Sequence, residues 1–169
     1  MDDAAWNHSE WISVANAPVI TGEINGSNER AADGAAWFVS VVKNEKEINS
    51  ARWMTTGLGV YELYVNGKLI GEEILKPGFT HPYKTKRSFT YEVSNALSKQ
   101  VGAENVFAVQ VTPGWWADKI ITYSGQQGMV GTKVAFRGVL ELTYADGSKA
   151  YLGSCLLYTS PSPRDYAAS

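Results

Sequence analysis

The sequence of 169 residues is short of cysteine, of charge and of long apolar runs. Its one cysteine, Cys155, excludes an internal disulfide and a multi-cysteine metal site. Lys and Arg number 15 against 17 Asp and Glu, and this near balance argues against a nucleic-acid or anionic-membrane surface. Because no run of ~18 apolar residues occurs, no helix is expected to span a bilayer.

Hydrophobic and aromatic residues are plentiful instead, at 44% and 12% of the chain. A length of 169 residues is typical of one domain, or of one domain with an appendage. The tryptophans and tyrosines suit both sheet surfaces and sugar-binding faces, so their excess leaves both open. The acidic start at Met1 lacks an apolar core, so no export signal is expected in this segment and the location stays open.

Short β-type segments separated by turn signals run through most of the chain. Asn66-Gly67 and Asp146-Gly147 are strong hairpin signals, because these residues tolerate positive φ. Gly57-Leu58-Gly59 is expected to break a strand. The alternation of apolar residues predicts strands at 37–42, 50–56, 60–65, 68–71, 88–93, 106–111, 134–144 and 149–152.

Helical periodicity is not sustained over three turns anywhere in the sequence. One short helical stretch is predicted from Asn95 to Lys99, with Ser94 as its N-cap. Tyr61, Leu63 and Trp53 are predicted to lie in the core. The pattern predicts an all-β fold, an antiparallel β-sandwich or jelly roll.

The last fifteen residues break this pattern. The stretch CLLYTSPSPRD, which begins at Cys155, resembles the translated adapter of a transposase-based sequencing library. We therefore predict one β-sandwich domain over residues 1–154, with its last strand cut, and a non-native, disordered tail over 155–169. On this interpretation the gene continues past Ser154 into sequence that is missing here. A natural Ser/Pro-rich linker is the alternative.

Six short motifs follow one another in a fixed order. They are Trp11-Ile12, GVYELYVNG at 59–67, Pro77-Gly78-Phe79-Thr80, Tyr91-Glu92-Val93-Ser94, Ala103-Glu104-Asn105-Val106 and Gly114-Trp115-Trp116. In this order they resemble the N-terminal domain of bacterial α-L-rhamnosidases, glycoside hydrolase family 78, over roughly residues 6–153. Three features depart from the family: no Arg follows Phe38, Phe79 replaces a Trp, and the loop after Trp116 lacks Asn-Gly.

The resemblance implies a parent enzyme that hydrolyses terminal α-L-rhamnosides with inversion. Inversion needs an acid and a base ~6.5–9.5 Å apart, and the family carries that pair in a downstream (α/α)₆ barrel. No such barrel is recognisable here, so we predict no catalytic residue and no activity for this chain alone. Adjacent Glu72 and Glu73 would point to opposite faces of a strand and are expected to be solvated.

Five residues are the candidates for binding a rhamnose-containing glycan: Trp115, Trp116, Asp118, His81 and Tyr83. Sugar C–H faces stack on aromatic rings, and sugar hydroxyls need charged or amide partners. The tryptophan pair lies in a glycine-rich loop near Asp118, and His81 and Tyr83 follow a Pro-Gly turn. The alternative, which we take as the default, is that the tryptophans pack at the end of the sandwich or against the missing barrel, and that His81 and Tyr83 form a surface turn.

No cofactor is expected, although calcium remains open. Sugar-binding modules that resemble this domain can use calcium, and Asp118, Asn66 and backbone carbonyls could supply oxygen ligands. His8 and His81 are the only histidines and lack the spacing of metal ligands. The expected partners are a carbohydrate and the missing catalytic domain. The competing function is a non-catalytic binding or adhesion module of a surface protein.

Overall fold

The computed structural model describes residues 3–14, 35–81, 83–117, 130–131, 133–154 and 158–160. Over these residues the chain forms two antiparallel five-stranded sheets, which confirms the predicted all-β sandwich. Sheet A has the order β1-β8-β3-β6, with β9 also paired to β8, and sheet B has the order β10-β2-β7-β4-β5. The strands are β1 (Ile12–Ser13), β2 (Ala36–Lys43), β3 (Ile48–Leu58), β4 (Val60–Val65), β5 (Lys68–Ile70), β6 (Phe89–Glu92), β7 (Glu104–Thr112), β8 (Ala135–Tyr144), β9 (Lys149–Gly153) and β10 (Tyr158–Ser160).

Helical structure in the described residues is limited to short turns: 3-10 helices at Asp3–His8 and Ser94–Ala96, and α1 at Gly114–Ala117. The predicted N-cap at Ser94 is wrong. Val93 stands at the cap position without a side-chain cap, and the Ser94 hydroxyl instead accepts a 2.7 Å hydrogen bond from the Ala51 amide. The turn ends at Ala96, because the backbone of Leu97 is extended. Within the described part, no helix is long and apolar enough to cross a membrane.

The strand break predicted at Gly57-Leu58-Gly59 is confined to Gly59. Strand β3 continues through Gly57 to Leu58, and β4 begins at Val60. Gly59 has a φ of 127°, a conformation that L side chains rarely adopt. A Cβ at Gly59 would also collide with the carbonyl oxygen of Thr112. This glycine therefore lets the chain pass from sheet A to sheet B within one residue.

The core between the sheets follows the predicted alternation. Tyr61, Leu63 and Val65 on β4 are at most 1% exposed, and Trp53 on β3 is 3% exposed, so the predicted core residues are confirmed. The Trp53 ring packs edge-on against Phe107, with their ring centroids 5.3 Å apart. Burial of these rings supplies much of the hydrophobic free energy that holds the two sheets together.

Three asparagines join the turns at one end of the sandwich. Asn66 and Gly67 form the predicted hairpin with φ of 50° and 77°. The Asn66 side chain accepts a hydrogen bond from the Val106 amide and donates one to Oδ1 of Asn105, both at 2.8 Å. Asn105 in turn donates to Oδ1 of Asn44 at 3.0 Å. These amides satisfy one another in a site where Asn105 is 1% exposed.

The N-terminal 3-10 helix lies on the outer face of sheet A. Its Ala5 packs with Met54 of β3 and Val139 of β8. The guanidinium of Arg137 donates hydrogen bonds to the carbonyl oxygens of Trp6 and Ser9, at 2.7 and 2.9 Å. Arg137 therefore anchors a short helix that has too few internal hydrogen bonds to be stable alone.

The predicted division at Ser154 stays a prediction. Three residues of the predicted tail, Tyr158–Ser160, are described as a strand paired with Trp37–Val39 of β2, where the sequence predicts disorder. The open edge of β2 offers unpaired backbone groups that any short segment can match. The rest of the tail lies outside the described residues.

Candidate functional site

A small cleft opens beside the point where β3 passes into β4. Its walls include the rings of Phe79, Trp115 and Trp116 and the side chains of Lys86 and Arg87. Phe79, Lys86 and Arg87 come from the segment between β5 and β6, and the two tryptophans come from α1. The described lining thus combines aromatic faces with positive charge.

The single turn α1 places both tryptophans. The amides of Trp116 and Ala117 each donate to the carbonyl oxygen of Pro113 at 3.2 Å. Adjacent residues on a helical turn point in directions about 100° apart. The two rings therefore reach different neighbours, and each tryptophan is only partly buried.

Trp116 forms an anchored wall of the cleft. Its indole Nε1 donates to the carbonyl oxygen of Lys133 at 3.0 Å, and its own carbonyl accepts the Gly131 amide at 2.9 Å. The indole occupies the space that a Cβ at Gly131 would need. The ammonium of Lys86 lies 4.7 Å from the centroid of the Trp116 ring, a cation–π distance. The ring is thus held in place from several sides.

Trp115 pairs with Phe79 across the cleft. Their ring centroids are 6.4 Å apart and the planes are tilted by 77°. Phe79 is 65% exposed, which is unusual for a phenylalanine. This pair presents an apolar surface to solvent.

His81 and Tyr83 lie together but do not line this cleft. Their ring centroids are 6.3 Å apart, and Tyr83 is 73% exposed. The amides of Lys84 and Thr85 donate to the His81 carbonyl oxygen at 3.1 and 3.0 Å, which closes a surface turn. Asp118, the fifth candidate, lies outside the described residues. The role of all five in sugar binding stays a prediction.

Sequence reasoning missed Phe79, Lys86 and Arg87 as site residues. Phe79 belongs to the Pro-Gly-Phe-Thr motif, and the basic run that includes Lys84, Lys86 and Arg87 is visible in the sequence. Neither the motif nor the basic run indicates that these residues lie beside Trp115, because that contact depends on how the β5–β6 segment folds over the end of the sandwich.

No acid–base pair is present in the described lining of the cleft, which carries no Asp or Glu. Glu72 and Glu73 lie in the loop after β5 rather than on a strand, because β5 ends at Ile70. Hydrogen bonds from the Glu73 backbone amide and from the Tyr91 hydroxyl, the latter at 3.0 Å, lower the pKa of the Glu73 carboxyl. Glu73 is therefore a poor proton donor at neutral pH.

Calcium binding stays a prediction. Asn66 was one expected ligand, but its amide oxygen accepts the Val106 amide and its nitrogen donates to Ala96 and Asn105. Within the described ranges no group of three or more His, Cys, Asp or Glu could hold a metal ion. The other expected ligand, Asp118, lies outside those ranges.

Comparison with known proteins relates this chain to one family. The family described as the alpha-L-rhamnosidase N-terminal domain matches residues 46–160. An alpha-L-rhamnosidase of Streptomyces avermitilis is 35% identical over 109 residues, which cover 64% of this chain and 10% of the relative. The chain thus spans about a tenth of that relative.

Two solved structures share the fold. The native rhamnosidase of Aspergillus terreus superposes with a TM-score of 0.76 at 24% identity, over 90% of this chain and 16% of that one. The Streptomyces avermitilis alpha-L-rhamnosidase complexed with L-rhamnose gives a TM-score of 0.70 at 29% identity, over 79% of this chain and 13% of that one. In both, the matched region is a small part of a much longer protein.

Proposed function

This chain belongs to the family of α-L-rhamnosidase N-terminal domains, and on that premise we propose that it is the accessory β-sandwich of a glycoside hydrolase. The parent enzyme removes terminal α-L-rhamnose from glycosides or polysaccharides, and the catalytic carboxylates lie in a part of the protein outside this chain. The observation that carries the proposal is the family match over residues 46–160. The lack of any Asp or Glu in the described cleft lining is consistent with a non-catalytic role.

A carbohydrate is the proposed ligand of the cleft. Exposed Phe79 and partly buried Trp115 offer apolar ring edges and faces to sugar C–H groups, and Arg87 beside them offers hydrogen-bond donors to hydroxyls. The Streptomyces avermitilis structure contains L-rhamnose, which makes this sugar the first ligand to test. The Arg87 guanidinium also lies 5.5 Å from the Phe89 ring, so its orientation is supported.

The enzymatic half of the proposal is tested by incubating the purified chain with p-nitrophenyl α-L-rhamnoside. We expect no release of nitrophenol above the buffer rate. Turnover that is abolished by heat denaturation of the chain would contradict the accessory role.

Sequencing the gene beyond Ser154 tests the identity of the parent protein. A helical-barrel sequence supports the hydrolase, whereas repeats or a surface anchor would support an adhesion module instead.

The binding half is tested by calorimetric titration with L-rhamnose, with and without added calcium. We expect Trp115→Ala to weaken binding by about tenfold, equivalent to ~1.4 kcal/mol. Trp116→Phe removes the hydrogen bond to the Lys133 carbonyl oxygen, so we expect any change in its affinity for L-rhamnose to come from a shifted ring. The matched control is Trp11→Ala, which removes another exposed indole outside the cleft. Equal affinity in all variants would remove the cleft from the proposal, and heat that appears only with calcium would show that binding needs the metal.

A further inference from the structure

The outer face of sheet B carries a cluster of polar and aromatic side chains that the cleft does not use. Trp37 of β2 lies opposite Gln110 of β7, and Gln110 lies opposite Glu62 of β4. Tyr64 follows Glu62 by two positions and therefore shares its face. The neighbours that alternate with them, among them Phe38, are fully buried in the core. The cluster thus faces away from the sandwich.

The adjacent rings of Trp37 and Tyr64 are the aromatic platform of this cluster. The ring centroids of Trp37 and Tyr64 are 5.8 Å apart and their planes are tilted by 37°. Core pairs in this molecule are more nearly perpendicular, for example 85° between Trp53 and Phe107. Trp37 and Tyr64 are both half-buried, so part of each side chain is accessible on this face.

Hydrogen-bonding groups border the platform. The Tyr64 hydroxyl donates to Oε2 of Glu62 at 2.6 Å, which orients the carboxylate. Glu62 is exposed and Gln110 is half-buried. A carboxylate accepts hydrogen bonds, and an amide both donates and accepts them. One row of the sheet therefore presents a ring, an amide and a carboxylate in sequence.

The next row of the same face is apolar. Val39, Ala108, Tyr64 and Leu69 are cross-strand neighbours in that order, and Leu69 is 55% exposed. Such a surface can take a protein or a sugar. The core of a protein interface is depleted in charge, whereas here the Glu62 carboxylate lies directly beside the Tyr64 ring. A pyranose, with C–H faces and hydroxyl rims, matches this alternation of rings and hydrogen-bonding groups.

We propose that the outer face of sheet B is a second carbohydrate-binding surface. Trp37 and Tyr64 stack on sugar rings, and Glu62 and Gln110 hydrogen-bond to sugar hydroxyls. Because the cluster crosses three strands, its ligand is a segment of an oligosaccharide or polysaccharide rather than a single sugar. The inference rests on the proposed function only in taking a glycan as the ligand, since none of these four residues lines the cleft.

The test is affinity electrophoresis of the full chain in gels that contain a soluble rhamnogalacturonan, with hydroxyethylcellulose as a second probe. We expect the wild type to be retarded, and Trp37→Ala and Glu62→Gln each to weaken the apparent affinity by about tenfold. Gln110→Ala is expected to have a smaller effect of the same sign. Val41→Ala, on the same face but outside the cluster, is the matched control and should migrate like the wild type.

Two further variants keep the outcome interpretable. Tyr64→Phe retains the ring and removes the hydrogen bond to Glu62, so a loss of retardation without a loss of thermal stability indicates hydroxyl recognition. Trp115→Ala changes only the cleft and should retain retardation by polysaccharide. Retardation that is lost in Trp115→Ala and kept in Trp37→Ala overturns the second surface and leaves the cleft proposal intact. The second surface is also overturned if neither polysaccharide retards the wild type, or if Trp37→Ala changes only self-association.

Discussion

The side chain of Asn66 donates a 2.8 Å hydrogen bond to Oδ1 of Asn105, 39 positions away in the sequence. Both residues belong to motifs through which the sequence resembles the rhamnosidase family, the Asn-Gly turn and the Glu-Asn element. Their contact shows that these two motifs form one structural unit at the end of sheet B. The same unit reaches Asn44 after β2. These motifs therefore identify a fold rather than a sugar site.

Replacing Asn105 by alanine should be strongly destabilising. The change removes the donor to Oδ1 of Asn44 and the acceptor of bonds from the Asn66 side chain and the Ser98 amide, at a position that is 1% exposed. We expect a loss of about 3 kcal/mol in the free energy of unfolding, measured by urea denaturation. Asn49→Ala, an exposed asparagine on β3, should change it by less than about 0.5 kcal/mol. Similar losses in the two variants would contradict the network.

Gly59→Ala tests the passage between the sheets. Its φ of 127° strains any L residue, and the new methyl group would collide with the Thr112 carbonyl and approach Val111 to 3.1 Å. We expect the free energy of unfolding to fall by about 3 kcal/mol or more, against about 1 kcal/mol for Gly147→Ala. Gly147 also has a positive φ, of 81°, but has open space around the added carbon. Equal thermal shifts for the two alanines would show that the collision is relieved.

Tyr61 should make the protein sensitive to alkali. Burial raises the pKa of Tyr61 from 10.0 to about 12, against the opposing effect of its hydrogen bond with Thr55. The folded state therefore keeps a proton that the unfolded state releases, so this stability is full below pH 10 and declines as the pH rises toward 12. The decline attributable to Tyr61 is about 2 to 3 kcal/mol.

The measurement is the free energy of unfolding at several pH values from 8 upward, for the wild type and Tyr61→Phe. The variant loses the 3.1 Å contact with the Thr55 hydroxyl, so it should be about 1 kcal/mol less stable at neutral pH. Its stability should then fall less steeply with pH than that of the wild type. Parallel curves would show that Tyr61 does not contribute to the alkaline loss.

Arg137 is expected to hold the N-terminal helix on sheet A. Arg137→Lys keeps the charge but cannot make the forked hydrogen bonds to Trp6 and Ser9. Amide hydrogen exchange should become at least about tenfold faster in residues 3–9 and remain unchanged in β3 and β7. Lys149→Arg, which replaces one cationic side chain by another on the same sheet, serves as the control. Uniformly faster exchange throughout the molecule would indicate global destabilisation instead.

The strands could be predicted because their signal is local. Val60–Val65 alternates every second residue, and its buried face is the one that the sequence indicates. The turn α1 could not be predicted, because four residues are too few to show a helical period. The cleft could not be predicted either, because Phe79 and Trp115 meet only when distant segments are folded together. Likewise, the helix at Asp3–His8 depends on Arg137, 128 positions from Ser9.

The segment before β1 and the segment after β9 lie side by side. The Ser154 hydroxyl donates to the Glu10 carbonyl oxygen, and Gly153 is a glycine because the backbone of His8 fills the space of a Cβ. A polypeptide that interrupts a longer chain needs little linker when its two ends are neighbours. The sandwich is thus suited to circular permutation that joins residues near Glu10 and Ser154 and opens the chain at the Asp146-Gly147 turn.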